Sequence, residues 1–466
     1  MDGDSQVARF IAEATWDALP AEVQKKAKMC LMDNLSATIS GARTRVSRIA
    51  TEFASTRMPG EEATILLHGS KATTAGAAFA NASAANGLDT DDSARYSYGH
   101  AGAQLFPTAL AVTEARALSG ADLLSGLVVG YEVAHRMGRC WHDHHENYQA
   151  CGSWGSVACA AVAAHLMKLD VNQAKNTIGI AEYHAPNLPM MRDIARPAMV
   201  KHGIGWGALT GITAAELAFL GFTGIPTLFS FDKYREWVED IGRHYIMVDG
   251  VAWKAKDYAC CGWAHAAVEG SKKLADEHHI DFKAIDRIIV ETFKESAALG
   301  TRLPTTTEEA QFNLSWPVAA MLVDGEIGPE QTLEHRLQDE TIRGLAAKVE
   351  VRESEELNEL CRLFSIGDPR GRFASSVTVV LNDGRQLESG LVGGGLVFPQ
   401  SGWDEHTMEE KFHWLVDPLL GRGRAEKLID LVWSFEKQTG VDGLIAEVRL
   451  PEVRLPEVRL PEARSR

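Results

Sequence analysis

The chain has 466 residues, enough for two or three domains at about 150 residues each. Acidic side chains outnumber basic ones 63 to 47, and the net charge of −16 argues against a nucleic-acid partner, which needs a basic face to displace counterions. Apolar content of 45% is ordinary for a globular protein, and no apolar run reaches the ~18 residues of a membrane span. Asp2, Asp4, Glu13 and Asp17 give the first twenty residues no signal-peptide character, and seven cysteines without CxxC spacing read as reduced thiols. A soluble, cytoplasmic protein with no membrane partner is therefore expected.

Positions 6–19 and 21–39 carry apolar residues at intervals of three and four, which predicts two amphipathic helices. Helices rich in Ala and Gly follow at 71–86, 105–118, 155–167 and 206–220, where small side chains let helix axes approach closely. Ser119 or Asp122 can cap a further helix over 123–137. After about residue 269 the character changes. Residues 285–293 and 373–381 read as strands, and the Asn382-Asp383-Gly384 turn returns the chain into a partner strand at 386–392. Helical segments at 310–322 and 339–347 lie among them, and helical patterning resumes over 404–436. The expected fold is mainly α: a discontinuous all-helical bundle domain (1–269 and 398–446) interrupted by a smaller α+β domain (270–397). Residues 447–466 form a tail in which Glu-Val-Arg-Leu-Pro occurs three times, with prolines that block helix and central strand alike.

Four stretches could carry chemistry. Leu88-Asp89-Thr90-Asp91-Asp92 precedes His100-Ala101-Gly102; crowded carboxylates resist joint ionisation and a nearby imidazole can share their proton, although a capped loop has the same spacing. Tyr148, Gln149 and Ser153 lead into a small-residue helix whose first amides could face an anion or be capped by Ser153. Arg192, Arg196, Lys201 and His202 gather positive charge suited to a carboxylate, or to a solvated helix end. Lys256, Tyr258, Cys260, Cys261 and His265 fall within ten residues, where a desolvated Lys or a near-neutral His suits proton abstraction. Metal is not expected at His142, His144 and His145, which lack CxxC or HExxH company. Gly393-Gly394-Gly395 lacks the surroundings of a phosphate loop, and no GxSxG elbow or dinucleotide fingerprint is present.

In this order, these blocks resemble the MmgE/PrpD family, whose members include 2-methylcitrate dehydratase, cis-aconitate decarboxylase and iminodisuccinate epimerase. The likeness spans 14–441 and also rests on Gly130-Tyr131-Glu132-Val133, Gly152-Ser153-Trp154-Gly155, Gly221-Phe222-Thr223-Gly224 and Ala310-Gln311-Phe312 before Val323-Asp324-Gly325. It implies a homodimer, a site between the two domains, no metal or redox cofactor, and acid–base residues Asp91, Asp92, His100, Lys256 and His265. Three positions depart from the lyase members: Gln149 replaces a His, Trp316 replaces a Tyr, and Lys201 is one residue out of register. Losing two acids weighs against protonating a leaving hydroxyl but leaves α-proton exchange intact. The expected function is a cofactor-independent epimerase of an iminodisuccinate-like amino dicarboxylate; the alternatives are a 2-methylcitrate dehydratase-like or related lyase, and a non-catalytic dimeric anion binder. Lys256 and His100 would transfer protons, with Tyr148 as a substitute and Asp91 and Asp92 tuning His100. Lys201, Arg192 and Arg196 would hold the substrate carboxylates, with Gln149 and Trp316 at the binding wall.

Overall fold

Close helix contacts set the architecture of the first 220 residues. The computed structural model describes residues 2–253, 258–365, 368–393 and 404–450; Lys256, the glycines after Gly393 and the repeat tail from 451 lie outside them. Its first helices are α1 (Gly3–Glu13), α2 (Ala21–Gly41), α3 (Arg45–Arg57), α4 (Thr74–Ala85), α5 (Gly102–Ala115), α6 (Gly120–His144), α7 (Gly152–Leu166), α8 (Val171–Tyr183), α9 (Met190–Ala195) and α10 (Ile204–Phe219). Every residue of α7 is buried, as a helix apolar on all sides requires, and α6, α8 and α10 pack around it. A side-chain carbon at Gly211 would come 2.5 Å from the Cys159 Cβ, and one at Gly130 would come 2.5 Å from Val162. Both glycines are close-approach points, where the helix axes meet without an intervening side chain.

Four two-residue strands flank these helices: β1 (Ala63–Thr64), β2 (Lys71–Ala72), β3 (Ser93–Ala94) and β4 (Val251–Ala252) pair as β1–β2 and β3–β4. A four-stranded sheet follows from β5 (Ile285–Thr292), β6 (Val349–Glu353), β7 (Ala374–Leu381) and β8 (Gln386–Gly393), in the order β6-β5-β7-β8. β5 and β6 are parallel and the other two pairs antiparallel; the helix His265–His278 packs on β7 and β8. The hairpin joining β7 to β8 turns at Gly384, whose φ of +86° a side chain would strain.

The mainly helical class is as expected; several element bounds are not. The 6–19 helix ends at Glu13 and leaves a short 3-10 turn at Trp16–Ala18. Lys71–Ala72 is strand rather than helix, and α4 starts after Thr73 accepts the Gly76 amide at 3.2 Å. Asn313 divides 310–322 by accepting the Trp316 amide at 2.8 Å, and Gly421 divides 404–436 into Glu405–Leu420 and Arg422–Trp433. The small-residue pattern does not mark α3, α8, β6 or the helix Glu355–Ser365.

Buried apolar side chains form two main cores. One draws on residues from Val7 to Trp253 and again from Met408 to Val448; the other is centred on the sheet but includes Ala150, Met190 and Ile194. Glu405–Leu420 returns to α2 and brings Lys411 against Asp33, both essentially inaccessible to solvent.

Candidate functional site

Residues 86–101 run from the end of α4 to the start of α5 and form a heavily anchored loop. Asn86 donates to Asp91 Oδ1 at 2.9 Å, Lys411 Nζ donates to the Thr90 carbonyl at 2.7 Å, and β3 is clamped by β4. Asp92 is spent on structure: it accepts the Gly102 amide at 3.0 Å, Asn34 Nδ2 at 3.1 Å and the Tyr131 hydroxyl. Burial raises its pKa, and none of these three bonds goes to the imidazole it was expected to tune. His100 is instead held by Asp91, with Nδ1 2.8 Å from Oδ2, while Nε2 lies 3.5 Å from Asp89 Oδ1. An Nδ1–H···carboxylate bond leaves Nε2 of the neutral ring as the working nitrogen.

A second imidazole stands against the first. His202 and His100 stack with centroids 5.5 Å apart and planes 17° apart. Asp193 of α9 accepts both the His202 amide at 3.0 Å and its Nδ1–H at 2.8 Å, so each ring is backed by a carboxylate. The turn that carries His202 is strained: Lys201, His202 and Gly203 have φ of 39°, 56° and 67°. Left-handed non-glycine residues cost about 1–3 kcal/mol each and persist only where surroundings dictate them. Asp89 (φ 57°) and Tyr98 (φ 49°) share that conformation. Burial lowers the His202 pKa by more than Asp193 restores it, which favours the neutral ring. Burial pushes Asp193 up, but His202 and Lys201 outweigh it and leave the carboxylate below its usual range.

Both rings line a cavity of about 320 Å³ bounded on the helical side by Arg95, Tyr98, Tyr148 and Cys151. Its other wall comes from Cys261–Trp263, Glu295, Cys361, Phe364, Ser365 and Phe373, next to the sheet-centred core. Among the described lining residues Arg95 alone carries a permanent positive charge. The Tyr148 hydroxyl donates to the Tyr98 carbonyl, and burial raises its pKa well above normal. Burial also lifts the Cys151 thiol to about 12, which makes it a poor nucleophile.

The other expected site residues that are described do not line the cavity. Lys201 is buried and donates to Gln311 Oε1 at 2.7 Å, and Gln311 donates in turn to the Gly87 carbonyl at 2.9 Å. Arg192 and Arg196 are exposed and do not line the cavity, so with Lys201 engaged they make no shared cationic pocket. Gln149 accepts the Leu188 amide at 2.7 Å, and Trp316 sits in the core and donates to the Gln331 carbonyl at 2.9 Å. His265 is buried, with Nε2 3.0 Å from the Cys260 carbonyl and its ring on Tyr258; its neighbours Cys261–Trp263 reach the cavity in its place. His142 donates to the Ser97 carbonyl at 2.8 Å and helps to hold the loop. Residue type alone could not separate Asp193 and His202 from the arginines around them, because the left-handed turn that pairs them is unmarked in the sequence.

A mainly helical scaffold presents two carboxylate-backed imidazoles to a half-open cavity, an arrangement chemically capable of acid–base work on a small molecule. The chain belongs to the MmgE/PrpD family: residues 5–234 match the family's N-terminal domain and 258–437 its C-terminal domain. It is 23% identical to the cis-aconitate decarboxylase-like protein oryM of Aspergillus oryzae (strain ATCC 42149 / RIB 40), over 95% of this chain and 96% of that one. It is also 23% identical to cis-aconitate decarboxylase of Aspergillus terreus (strain NIH 2624 / FGSC A1156), over 96% of both chains. These relatives support an enzyme; neither is an epimerase by name.

Proposed function

We propose that this protein is a carboxylate lyase acting on a small polycarboxylate of the cis-aconitate kind, with His100 as its acid–base group and His202 as a second proton carrier. The observation that carries this reading is the stacked imidazole pair, each ring backed by its own aspartate, on one side of the cavity. Adjacent proton carriers suit a reaction in which a group leaves and a proton is delivered from the same side. In decarboxylation the bond to the departing carboxylate breaks, its electrons pass into the remaining conjugated carboxylate, and an imidazolium returns a proton to carbon. Arg95 is positioned to hold a substrate carboxylate, and the charge that develops is stabilised by the same field.

Epimerisation of an iminodisuccinate-like amino dicarboxylate is the second reading, favoured by the departures at Gln149 and Trp316. Those side chains are engaged by the Leu188 amide and the Gln331 carbonyl, so their identity bears less directly on the reaction than it would in the cavity wall. Incubation in D2O separates the two. A decarboxylase releases CO2 from cis-aconitate and leaves deuterium on carbon in the product, whereas a dehydratase releases water from 2-methylcitrate and forms a C=C bond without taking up deuterium. Deuterium gain with inversion of an amino dicarboxylate, and no fragment released, would replace the lyase reading.

The protein is further proposed to work as a homodimer through the face beside the Lys201–Gly203 turn. Ile49, Phe53, Val200 and Trp206 are exposed there around Phe79, whose ring lies 5.8 Å from Phe53 and 5.6 Å from Trp206, in an apolar groove of about 260 Å³. Contiguous exposed apolar surface of this kind marks an association site. Sedimentation of the wild type should give two chains, and Trp206→Glu should give one; a monomeric wild type removes this part of the proposal.

A further inference from the structure

We propose that Asp89, His100 and His202 form a binding site for a divalent transition-metal ion of the Zn2+ type, and that the bound ion blocks the enzyme. One ligand atom from each residue lies within 4.8 Å of the others. Two imidazoles and one carboxylate, with the cavity open on the remaining side, make a donor set suited to Zn2+ and its neighbours in the series.

Two independent features support the assignment. First, Asp91 and Asp193 each sit 2.8 Å from the Nδ1 of one ring, leaving Nε2 as the nitrogen that either histidine can offer. A carboxylate behind each imidazole is the arrangement that fixes ring orientation and tautomer at metal sites. Second, Asp89 and His202 are both held in the left-handed backbone region, where a non-glycine residue persists only because its surroundings impose it. The triad is close to closure. A four-coordinate ion with bonds of ~2.1 Å holds its ligand atoms about 3.4 Å apart. His100 Nε2 and Asp89 Oδ1 are already 3.5 Å apart, so the widest separation has to shrink by no more than about 1.4 Å. The nearby Lys201 ammonium does not occupy the place, being bound to Gln311 and set 4.8 Å from the Phe312 ring.

Inhibition rests on the proton-transfer roles of His100 and His202 given above; binding does not. The test uses chelator-treated full-length protein, Zn2+ titrated by calorimetry and Co2+ followed by its visible absorption. One ion per chain is expected. His202→Gln and Asp89→Asn should each weaken binding by more than about 100-fold, and Asp193→Asn, acting through His202, by about 10–100-fold. Circular dichroism checks that each variant is folded. Cys151→Ser should bind as the wild type does. Lack of binding by the wild type at micromolar Zn2+, unchanged affinity in both His202→Gln and Asp89→Asn, or loss in Cys151→Ser alone would overturn the site. Zinc bound at one per chain with turnover intact would uphold the site and remove the two imidazoles from proton transfer instead.

Discussion

Replacing Asp91 with Asn should lower kcat/KM by about 10²–10⁴, as much as replacing His100 with Gln, with the fold intact. Asn is nearly isosteric with Asp, and the Asn86 contact to the Asp91 Oδ1 position can still form. What changes is the tautomer. Asp91 Oδ2 accepts a hydrogen bond from His100 Nδ1–H at 2.8 Å; an amide Nδ2 presented there would donate instead and move the ring proton to Nε2, the nitrogen facing Asp89 and the cavity. A neutral ring protonated at that nitrogen cannot act as a base. The loss should therefore fall on kcat, with KM little changed, since Asp91 is fully buried and does not line the cavity. His202 gives a contrast: burial holds its pKa down, so charging it takes a lower pH than an exposed histidine needs. Steady-state kinetics on the substrate identified in D2O, with thermal melts as the folding control, decide the matter. A decrease below tenfold in both variants would take His100 out of the chemistry.

The part of the site that was legible in the sequence is the part built within one loop. Asp91 and His100 lie nine residues apart between two helices, and polar residues crowded between small-residue helices stand out without knowledge of the fold. His202 and Asp193 are equally close in sequence, but composition misleads there. The stretch reads as positive, yet Arg192 and Arg196 remain at the surface and the acidic residue between them makes the useful contact. Lys201 finds its partner, Gln311, 110 residues away, a distance no local pattern spans. Helix existence followed from spacing, whereas helix starts did not. α5, α7 and α10 begin at Gly102, Gly152 and Ile204, earlier than periodicity predicts, and these are the turns that border the cavity residues. Sheet order was equally hidden. The 382–384 turn foretells the β7–β8 pair, but the parallel pairing of β6 with β5 is fixed by tertiary contacts alone.

Lys411→Met should destabilise the protein by about 3–5 kcal/mol, because it leaves a buried carboxylate without its counter-ion. Lys411 and Asp33 are 1% and 0% exposed, and Asp33 Oδ2 has no hydrogen-bond partner among the described residues even in the wild type. Burial raises the Asp33 pKa; Lys411 opposes that rise, while the Asp92 charge adds to it. The sign of the pH dependence follows. Above the unfolded carboxyl pKa of about 3.9 and below the raised folded value, the native state binds more protons than the unfolded state. Stability from the protonated form is thus full below the unfolded pKa and is lost as pH rises through the folded one. Removing Lys411 takes away the group that lowers the folded value, so the window extends upward and the deficit against wild type grows with pH. Urea unfolding at pH 5 and pH 8 should show the smaller deficit at pH 5, and Asp33→Asn added to Lys411→Met should recover part of the loss by removing the stranded charge. The same ammonium holds the Thr90 carbonyl between Asp89 and Asp91, so turnover should fall even where the single variant remains folded. Equal deficits at the two pH values, with no recovery in the double variant, would mean that Lys411 supports the loop through packing rather than charge.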